Sequence, residues 1–305
     1  MYIYGPVPSR RLGFSLGIDI IPFKTCTFDC IYCQLGPTTK KAIRRKGYLP
    51  SKEIISQVKK ILASGRRIDY ITFSGSGEPT LNSAIGKLIR EIKKITPIPV
   101  AVLTNSSLLS RRSVREALLA SDLVVPSLDA AIPEVFHRIN RPYNSLKIED
   151  IIEGLKEFRQ EFSGSIWLEI MLVKGVNDSI PHLRKLKKII TDIKPDKVQL
   201  NTVIRPPAEK YAHALSLREL EKIKNIFGNN CEIIVEFDKE GQILPSENLE
   251  ESILSMIQRR PVTLSDISSS LGKNQSEILK YLNFLLEKGK IQSVIHKDIE
   301  YYEPA

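Results

Sequence analysis

Cys26-Thr27-Phe28-Asp29-Cys30-Ile31-Tyr32-Cys33 holds three of the chain's four cysteines, spaced C-x3-C-x2-C in one short loop. Three thiols so close together suit a compact inorganic cluster better than a disulfide. An iron–sulfur cube normally takes four cysteine ligands, so three would leave one iron open to another ligand. A structural zinc ion is the competing reading. It would ordinarily need a fourth ligand with paired spacing of its own, and no second C-x2-C or H-x3-H follows. The fourth cysteine, Cys231, opens the apolar, strand-like run Cys-Glu-Ile-Ile-Val-Glu-Phe and reads as a buried structural thiol.

Outward from the cysteines, strand and helix patterns alternate. Residues 1–13 read as a lead-in carrying Arg10 and Arg11, and Phe14–Pro22 as a first strand that runs into the cysteine loop. Ser51–Ala63 is expected to be a helix capped by Ser51, with Ile54, Ile55, Val58, Ile61 and Leu62 on one face. Tyr70–Phe73, Val100–Thr104, Leu123–Leu128, Ile166–Val173 and 197–202 read as strands, with Glu232–Phe237 as a last one. Between them fall helical patterns at Leu81–Ile95, Arg111–Leu119, the stripe Ile148, Ile151, Ile152, Leu155 and Phe158, then 180–192 and 216–227. Such alternation implies parallel βα units. Six of them after the cysteine loop predict an α/β fold built as an open, partial (β/α)6 barrel of the TIM type, with its site at the carboxyl ends of the strands.

The remaining motifs fall at those ends. Phe73-Ser-Gly75-Ser76-Gly77-Glu78-Pro79 is a glycine-rich turn, which lets backbone groups approach a ligand closely. Thr104-Asn105-Ser106 and Ser127-Leu-Asp129 end the next two strands. Asp129 can be read as a helix cap or as a carboxylate for vicinal hydroxyls. Arg141 (in Ile139-Asn-Arg-Pro142) and Arg205 (before Pro206-Pro207) put guanidinium forks, suited to phosphate or carboxylate, into rigid turns. Asn201 is expected to face the same cavity. Lys40-Lys-Ala-Ile-Arg44-Arg-Lys46 reads as a solvated loop or as a contact for substrate phosphate. The four histidines lack ligand spacing.

The C-x3-C-x2-C spacing with Tyr32 before the last cysteine resembles the signature of the radical S-adenosylmethionine (radical SAM) superfamily. That resemblance implies a [4Fe-4S] cluster on Cys26, Cys30 and Cys33, its open iron chelated by the amino and carboxylate groups of SAM. It implies one-electron cleavage of SAM to a 5′-deoxyadenosyl radical that abstracts hydrogen from a substrate, with the electron from a ferredoxin- or flavodoxin-type donor. The turn at Gly75, Ser76, Gly77 and Glu78 is similar to the family's Gly-Gly-Glu-Pro element, with Ser76 in place of its first glycine. Asn105 sits in a likeness of the family's Thr-Asn-Gly turn, and Ser127 and Asp129 stand where the family binds the SAM ribose. Tyr32 joins them as a cofactor-binding candidate. Arg10, Arg11, Arg141, Asn201 and Arg205 are the substrate candidates. The run Tyr4–Gly13 and Val198-Gln-Leu-Asn-Thr202 look like the subgroup of wyosine-type tRNA-modifying synthases, over about residues 1–240. This chain has no cysteine before Cys26 for a second cluster, and only Cys231 is left for the paired thiols of dual-cysteine RNA methylases.

Beyond a linker at Asp238–Glu247, residues 249–305 read as a separate module. Helices at Glu250–Arg259, Thr263–Leu271 and Ser276–Lys288 precede a hairpin, Ile291–Tyr302, around Lys297-Asp298. The pattern resembles a winged helix-turn-helix. Residues 251–305 carry seven basic and seven acidic side chains, so the chain's net charge of +10 lies in residues 1–250. A DNA reader needs a basic face; contact with a protein partner or packing on the barrel fits a neutral module better. The charge on the larger part points to a polyanionic partner, with tRNA the expectation. Two alternatives stand beside it: a protein, peptide or small metabolite as substrate, and a regulator whose cluster gates the winged helix on DNA. No apolar run is long enough to span a bilayer. Met1–Pro6 has neither a basic nor an apolar export region, so a cytoplasmic location is expected.

Overall fold

The computed structural model describes residues 2–234 and 249–305. The chain opens with a strand that the sequence pattern hides. β1 (Ile3–Ser9) pairs antiparallel with β2 (Gly13–Ile18). β1 contains Gly5, Pro6 and Pro8, residues that a central strand tolerates poorly. It is admissible because it forms the edge of the sheet and its register slips between Tyr4 and Val7. The cysteine loop follows, tied by a short parallel bridge between β3 (Thr25–Cys26) and β4 (Lys40–Lys41).

From there α1 (Ser51–Leu62), β5 (Tyr70–Phe73), α2 (Ile85–Ile95), β6 (Val100–Thr104), α3 (Arg112–Leu118) and β7 (Leu123–Pro126) alternate as the periodicity predicts. Next come α4 (Pro133–Asn140), α5 (Ile148–Glu161), β8 (Ser165–Leu172), α6 (Ile180–Ile193), β9 (Lys197–Thr202), α7 (Leu217–Phe227) and β10 (Cys231–Ile233). The main sheet runs β1-β2-β5-β6-β7-β8-β9-β10, parallel throughout except for β1. Two local expectations are corrected, and one helix is new. Pro50, not Ser51, precedes α1, and no side chain caps it. The helix expected over Leu81–Ile95 begins only at Ile85: Pro79–Leu81 is a 3-10 turn, separated from α2 by residues 82–84, where the buried Asn82 amide donates to Ile20 O and accepts from Ala84 N. α4, eight residues opened by Pro133, is too short for its stripe to stand out in sequence. Positions 235–237 of the expected last strand and the Asp238–Glu247 linker lie outside the described residues.

Strand periodicity explains where a site can form. Ile71 and Phe73, Val100 and Val102, Leu168, Ile170 and Leu172, and Val198 and Leu200 all join the core on the helix side. Their alternates face the other way. There Leu12, Ala101, Leu123 and Val125 make a small apolar cluster. Beside it the sheet carries polar groups: Ser15 and Thr72 share a 2.6 Å hydroxyl contact, and Glu169, Gln199 and Asn201 lie on β8 and β9. Buried polar groups persist only when paired, and the turn after β1 supplies the partners. Arg11 donates to Glu169 Oε1 at 2.8 Å, and Arg10 donates to Asn201 Oδ1 at 3.1 Å.

The tail contains α8 (Leu249–Ile257), α9 (Leu264–Leu271) and α10 (Gln275–Glu287), then the antiparallel pair β11 (Ile291–His296) and β12 (Ile299–Pro304). Thr263 and Asp266 form a reciprocal cap on α9. Ile253, Ile257, Val262, Ile267, Ile278, Leu282 and Leu285 make a second hydrophobic core. α8 and α9 pack on β1, covering the sheet edge that would otherwise offer unpaired backbone. The segment after β9 is the other anchor. Val203 O accepts from Lys297 Nζ and Ile204 O from Tyr301 Oη, each at 2.9 Å. Arg205 donates to Pro261 O at 3.1 Å and lies 3.5 Å from Asp266.

Candidate active site

At the carboxyl ends of β2, β5, β6 and β7 a cavity of about 390 Å3 collects much of what the sequence singles out. Its lining includes Cys26, Cys30 and Cys33, Tyr32, Gly75, Ser76, Gly77 and Glu78, Asn105, Ser127, and Arg10 and Arg11. Asp129, Arg141, Asn201 and Arg205 are not among the lining residues.

The cysteine loop is held from several sides. Asp29 N and Ile31 N donate to Asn140 O and Ile139 O at the end of α4, and Tyr143 N donates to Thr27 O. Asn105 Nδ2 reaches both Thr27 Oγ1 at 2.8 Å and Cys26 Sγ at 3.4 Å, while Asn140 Nδ2 lies 3.4 Å from Cys30 Sγ. The glycines of the next turn serve this packing. A Cβ on Gly77 would stand 1.9 Å from Thr25 O, and one on Gly75, at φ +142°, 2.5 Å from the Asp19 carboxyl carbon. The glycine-rich turn therefore lets two loops touch, and its opening toward a ligand follows from that closeness. Asp19 accepts from Ser76 N at 3.1 Å and from Ser76 Oγ, fixing the turn further.

Two carboxylates organise the wall from behind. Glu78 is 2% exposed. Its oxygens accept from Thr80 N and Oγ1, Thr104 Oγ1 and Asn105 N at 2.5 to 3.0 Å, so it ties the glycine turn to the end of β6. Asp129 accepts from Tyr32 Oη at 2.5 Å, Asn140 Nδ2 at 2.8 Å and Met171 N at 2.8 Å. Burial raises its carboxyl to about 6, against the pull of those donors. Asp129 is neither a helix cap nor a group that lines the cavity. It fixes Tyr32 and Asn140, and through them the cysteine loop.

The substrate candidates divide. Arg10 and Arg11 line the cavity, and Arg11 is paired with Glu169, whose carboxyl stays below its ordinary value because Arg11 and Asn201 outweigh the cost of burial. Asn201 bridges Arg10 and Glu169. Arg141, in the left-handed region at φ +43°, closes α4 and is committed to Glu209 at 2.6 Å and Tyr211 Oη at 2.8 Å. Arg205 is committed to the tail. Both were legible as fixed forks; their partners, supplied by distant segments, were not. Of the basic loop, Arg45 is pinned to Thr80 O and Ser113, while Lys40, Lys41 and Arg44 stay exposed. Cys231 is buried in the helix-side core, with its thiol pushed up to about 12 by burial, and is absent from the cavity lining.

Sequence reasoning missed several lining or supporting residues. Glu169 and Gln199 had a signal, since each interrupts an apolar strand. Tyr4, whose hydroxyl meets Ser74 Oγ at 2.8 Å, and Asn140 had none. Met256, Arg259 and Arg260 come from the tail, and only the basic pair before Pro261 in a neutral module hinted at them.

The donor set fits a thiolate-held cluster. Cys26, Cys30 and Cys33 are free, border one cavity, and are all shifted upward by burial, Cys26 to about 12. Such thiols ionise when metal binding takes the proton's place. Among the described residues no group of three His, Cys, Asp or Glu is gathered as around one metal ion.

Fold and site define a radical SAM enzyme: the radical SAM superfamily model matches residues 20–186, more than half of the chain, and the chain belongs to that superfamily. Its cofactors are a [4Fe-4S] cluster and SAM. Among individual proteins, it is 43% identical over 296 residues to a "GTPase Obg" of Brachyspira hyodysenteriae, covering 96% of this chain but only 44% of that one. No G-x-x-x-x-G-K-[ST] phosphate loop occurs here. It is 35% identical over 295 residues to UPF0026 protein MJ1312 of Methanocaldococcus jannaschii, covering 94% of this chain and 91% of that protein. A dual-specificity RNA methyltransferase of Bdellovibrio bacteriovorus is 26% identical over 67% of this chain and 51% of its own length. The crystal structure of a radical SAM methyltransferase from Sphaerobacter thermophilus superposes with TM-score 0.56 at 18% identity, over 72% of this chain and 65% of that one. Among the described residues no helix is long and apolar enough to cross a membrane.

Proposed function

We propose that this chain modifies RNA, tRNA first among its candidates, by hydrogen abstraction at the cavity between the cysteine loop and the glycine-rich turn. Cys26, Cys30 and Cys33 would hold the cluster, with SAM completing it. The cluster and SAM, when bound, supply a 5′-deoxyadenosyl radical. The protein's part is orientation. The backbone of Gly75–Glu78 would border the methionine end of SAM, with Asn105, Ser127 and Tyr32 lining the rest of the cavity. Asp129 acts through Tyr32 and Asn140 rather than on the ribose, the role its family position implies. We read the parallel strands of residues 1–240 as an open, partial TIM-type barrel and residues 249–305 as a winged-helix module, a division supported by the two separate hydrophobic cores.

The observation that carries this reading is the convergence of the three thiols and the glycine-rich turn on one cavity. RNA is favoured by the +10 charge confined to residues 1–250 and by similarity to an RNA methyltransferase. The test is made on anaerobically reconstituted protein. About four irons per chain and 5′-deoxyadenosine formed from SAM with dithionite are expected, and bulk tRNA should acquire a new nucleoside. Stoichiometric zinc with no deoxyadenosine would sink the mechanism. Active enzyme that binds tRNA no better than a neutral protein does would sink the substrate.

A further inference from the structure

Arg10, in the turn after β1, and Arg260, in the turn after α8, reach one cavity wall from opposite ends of the sequence. Their neighbours are already engaged. Arg11 is paired with Glu169 at 2.8 Å, and Arg205 is bound to Pro261 O with Asp266 at 3.5 Å. Arg259 donates to Ser255 and lies 4.4 Å from the Tyr4 ring centroid. Among the described residues Arg10 donates to a neutral partner, the Asn201 amide oxygen at 3.1 Å, and meets the Glu169 and Asp266 carboxylates only at longer range. Arg260 makes no hydrogen bond or close ion pair with a described residue, and only Asp266 and Tyr4 favour its charged form at longer range. Glu78, the carboxylate in the cavity lining, is buried and filled by its own donors, while the carboxylates that reach the pair at longer range are shared elsewhere, Glu169 with Arg11 and Asn201, and Asp266 with Arg205 and the Thr263 cap.

Guanidinium groups close enough to disturb one another are costly to hold together without an anion. After burial, Arg205 is the next largest cause that lowers both Arg260, to about 9, and Arg10, to about 10. A phosphate group, which accepts paired N–H donors from planar forks, suits such a place.

We propose that Arg10 and Arg260 together clamp a phosphate of the substrate, so that the tail supplies half of the substrate site. This rests on the reading that substrate meets the cofactors in this cavity. One consequence is thermodynamic. A phosphate bridging β1's turn and the tail stabilises tail docking, and tail docking strengthens phosphate binding by the same factor.

The probe is inorganic pyrophosphate, titrated calorimetrically into the full-length reconstituted protein at low salt, with hydrogen exchange followed in residues 255–270. Wild type should bind it, and protection of the α8–α9 turn should rise with occupancy. Arg260→Ala should bind about tenfold more weakly, Arg260→Lys should fall between, and neither tail should gain protection to the wild-type extent. Iron content per chain reports that the variants are folded. The proposal is overturned if wild type does not bind pyrophosphate, if Arg260→Ala binds it equally well, or if binding leaves the tail's exchange unchanged. It is also overturned if Arg260→Ala loses affinity for SAM while keeping pyrophosphate, which would assign the guanidinium to the cofactor. Failure of the radical SAM reading itself is read separately, as absence of deoxyadenosine whatever pyrophosphate does.

Discussion

Replacing Arg205 with alanine should loosen the tail from the sheet while leaving both hydrophobic cores intact. The side chain is 10% exposed and contributes an N–H to Pro261 O at 3.1 Å and a 3.5 Å approach to Asp266. A hydrogen bond from a charged donor is worth about 1.5–3 kcal/mol net. The ion pair adds under about 1 kcal/mol, because Asp266 is one-third exposed and keeps its capping bonds to Thr263. Relief of repulsion with Arg10 and Arg260 offsets part of this. A net loss of about 2 kcal/mol raises the undocked population roughly thirtyfold. Hydrogen exchange resolved by peptide measures it directly: residues 255–270 and β1, which α8 and α9 cover, should lose protection together. Exchange in β7 and β8 should not change. Wild-type protection at the tail, or a loss spread evenly over the sheet, would refute the reasoning.

Gly77→Ala puts a methyl group 1.9 Å from Thr25 O, so the cysteine loop must shift; a melting temperature lower by about 5 °C or more and reduced iron content are expected, checked by calorimetry and iron assay. Asn105→Ala removes the amide 3.4 Å from Cys26 Sγ. If that contact is worth roughly 1 kcal/mol, potentiometry should find the cluster potential about 40 mV more negative, and an unchanged or raised potential would refute the contact. His182 is 3% exposed, its Nε2 accepting from Ala131 N and its Nδ1 facing Asn177 O. Burial lowers its pKa in the fold. Its contribution is therefore present above the unfolded value near 6.5 and lost as pH falls, at most about 1.4 kcal/mol per pH unit. Urea melts from pH 7.5 to 5 should show this slope flattened in His182→Gln.

The sequence alone decided what short range can decide. Cys26, Cys30 and Cys33 lie within one loop, and the apolar periods of α1, α2, α5 and α6 and of β5 to β9 are long enough to read. With sites confined to the carboxyl ends of parallel strands, those two facts foretold that the cysteine loop, the Gly75–Glu78 turn, Asn105 and Ser127 would meet. Partner choice was out of reach, because it depends on contacts between segments far apart in the chain. Nothing local says that Asp129 is consumed by Tyr32, Asn140 and Met171, that Arg141 belongs to Glu209, or that Arg205 holds the tail. β1 was hidden because only a sheet edge, covered by α8 and α9, accommodates its prolines. The tail read as a separate neutral module because its own core is complete. Only tertiary packing, by laying α8 across β1, delivers Arg259 and Arg260 to a cavity whose other basic wall was encoded some 250 residues earlier.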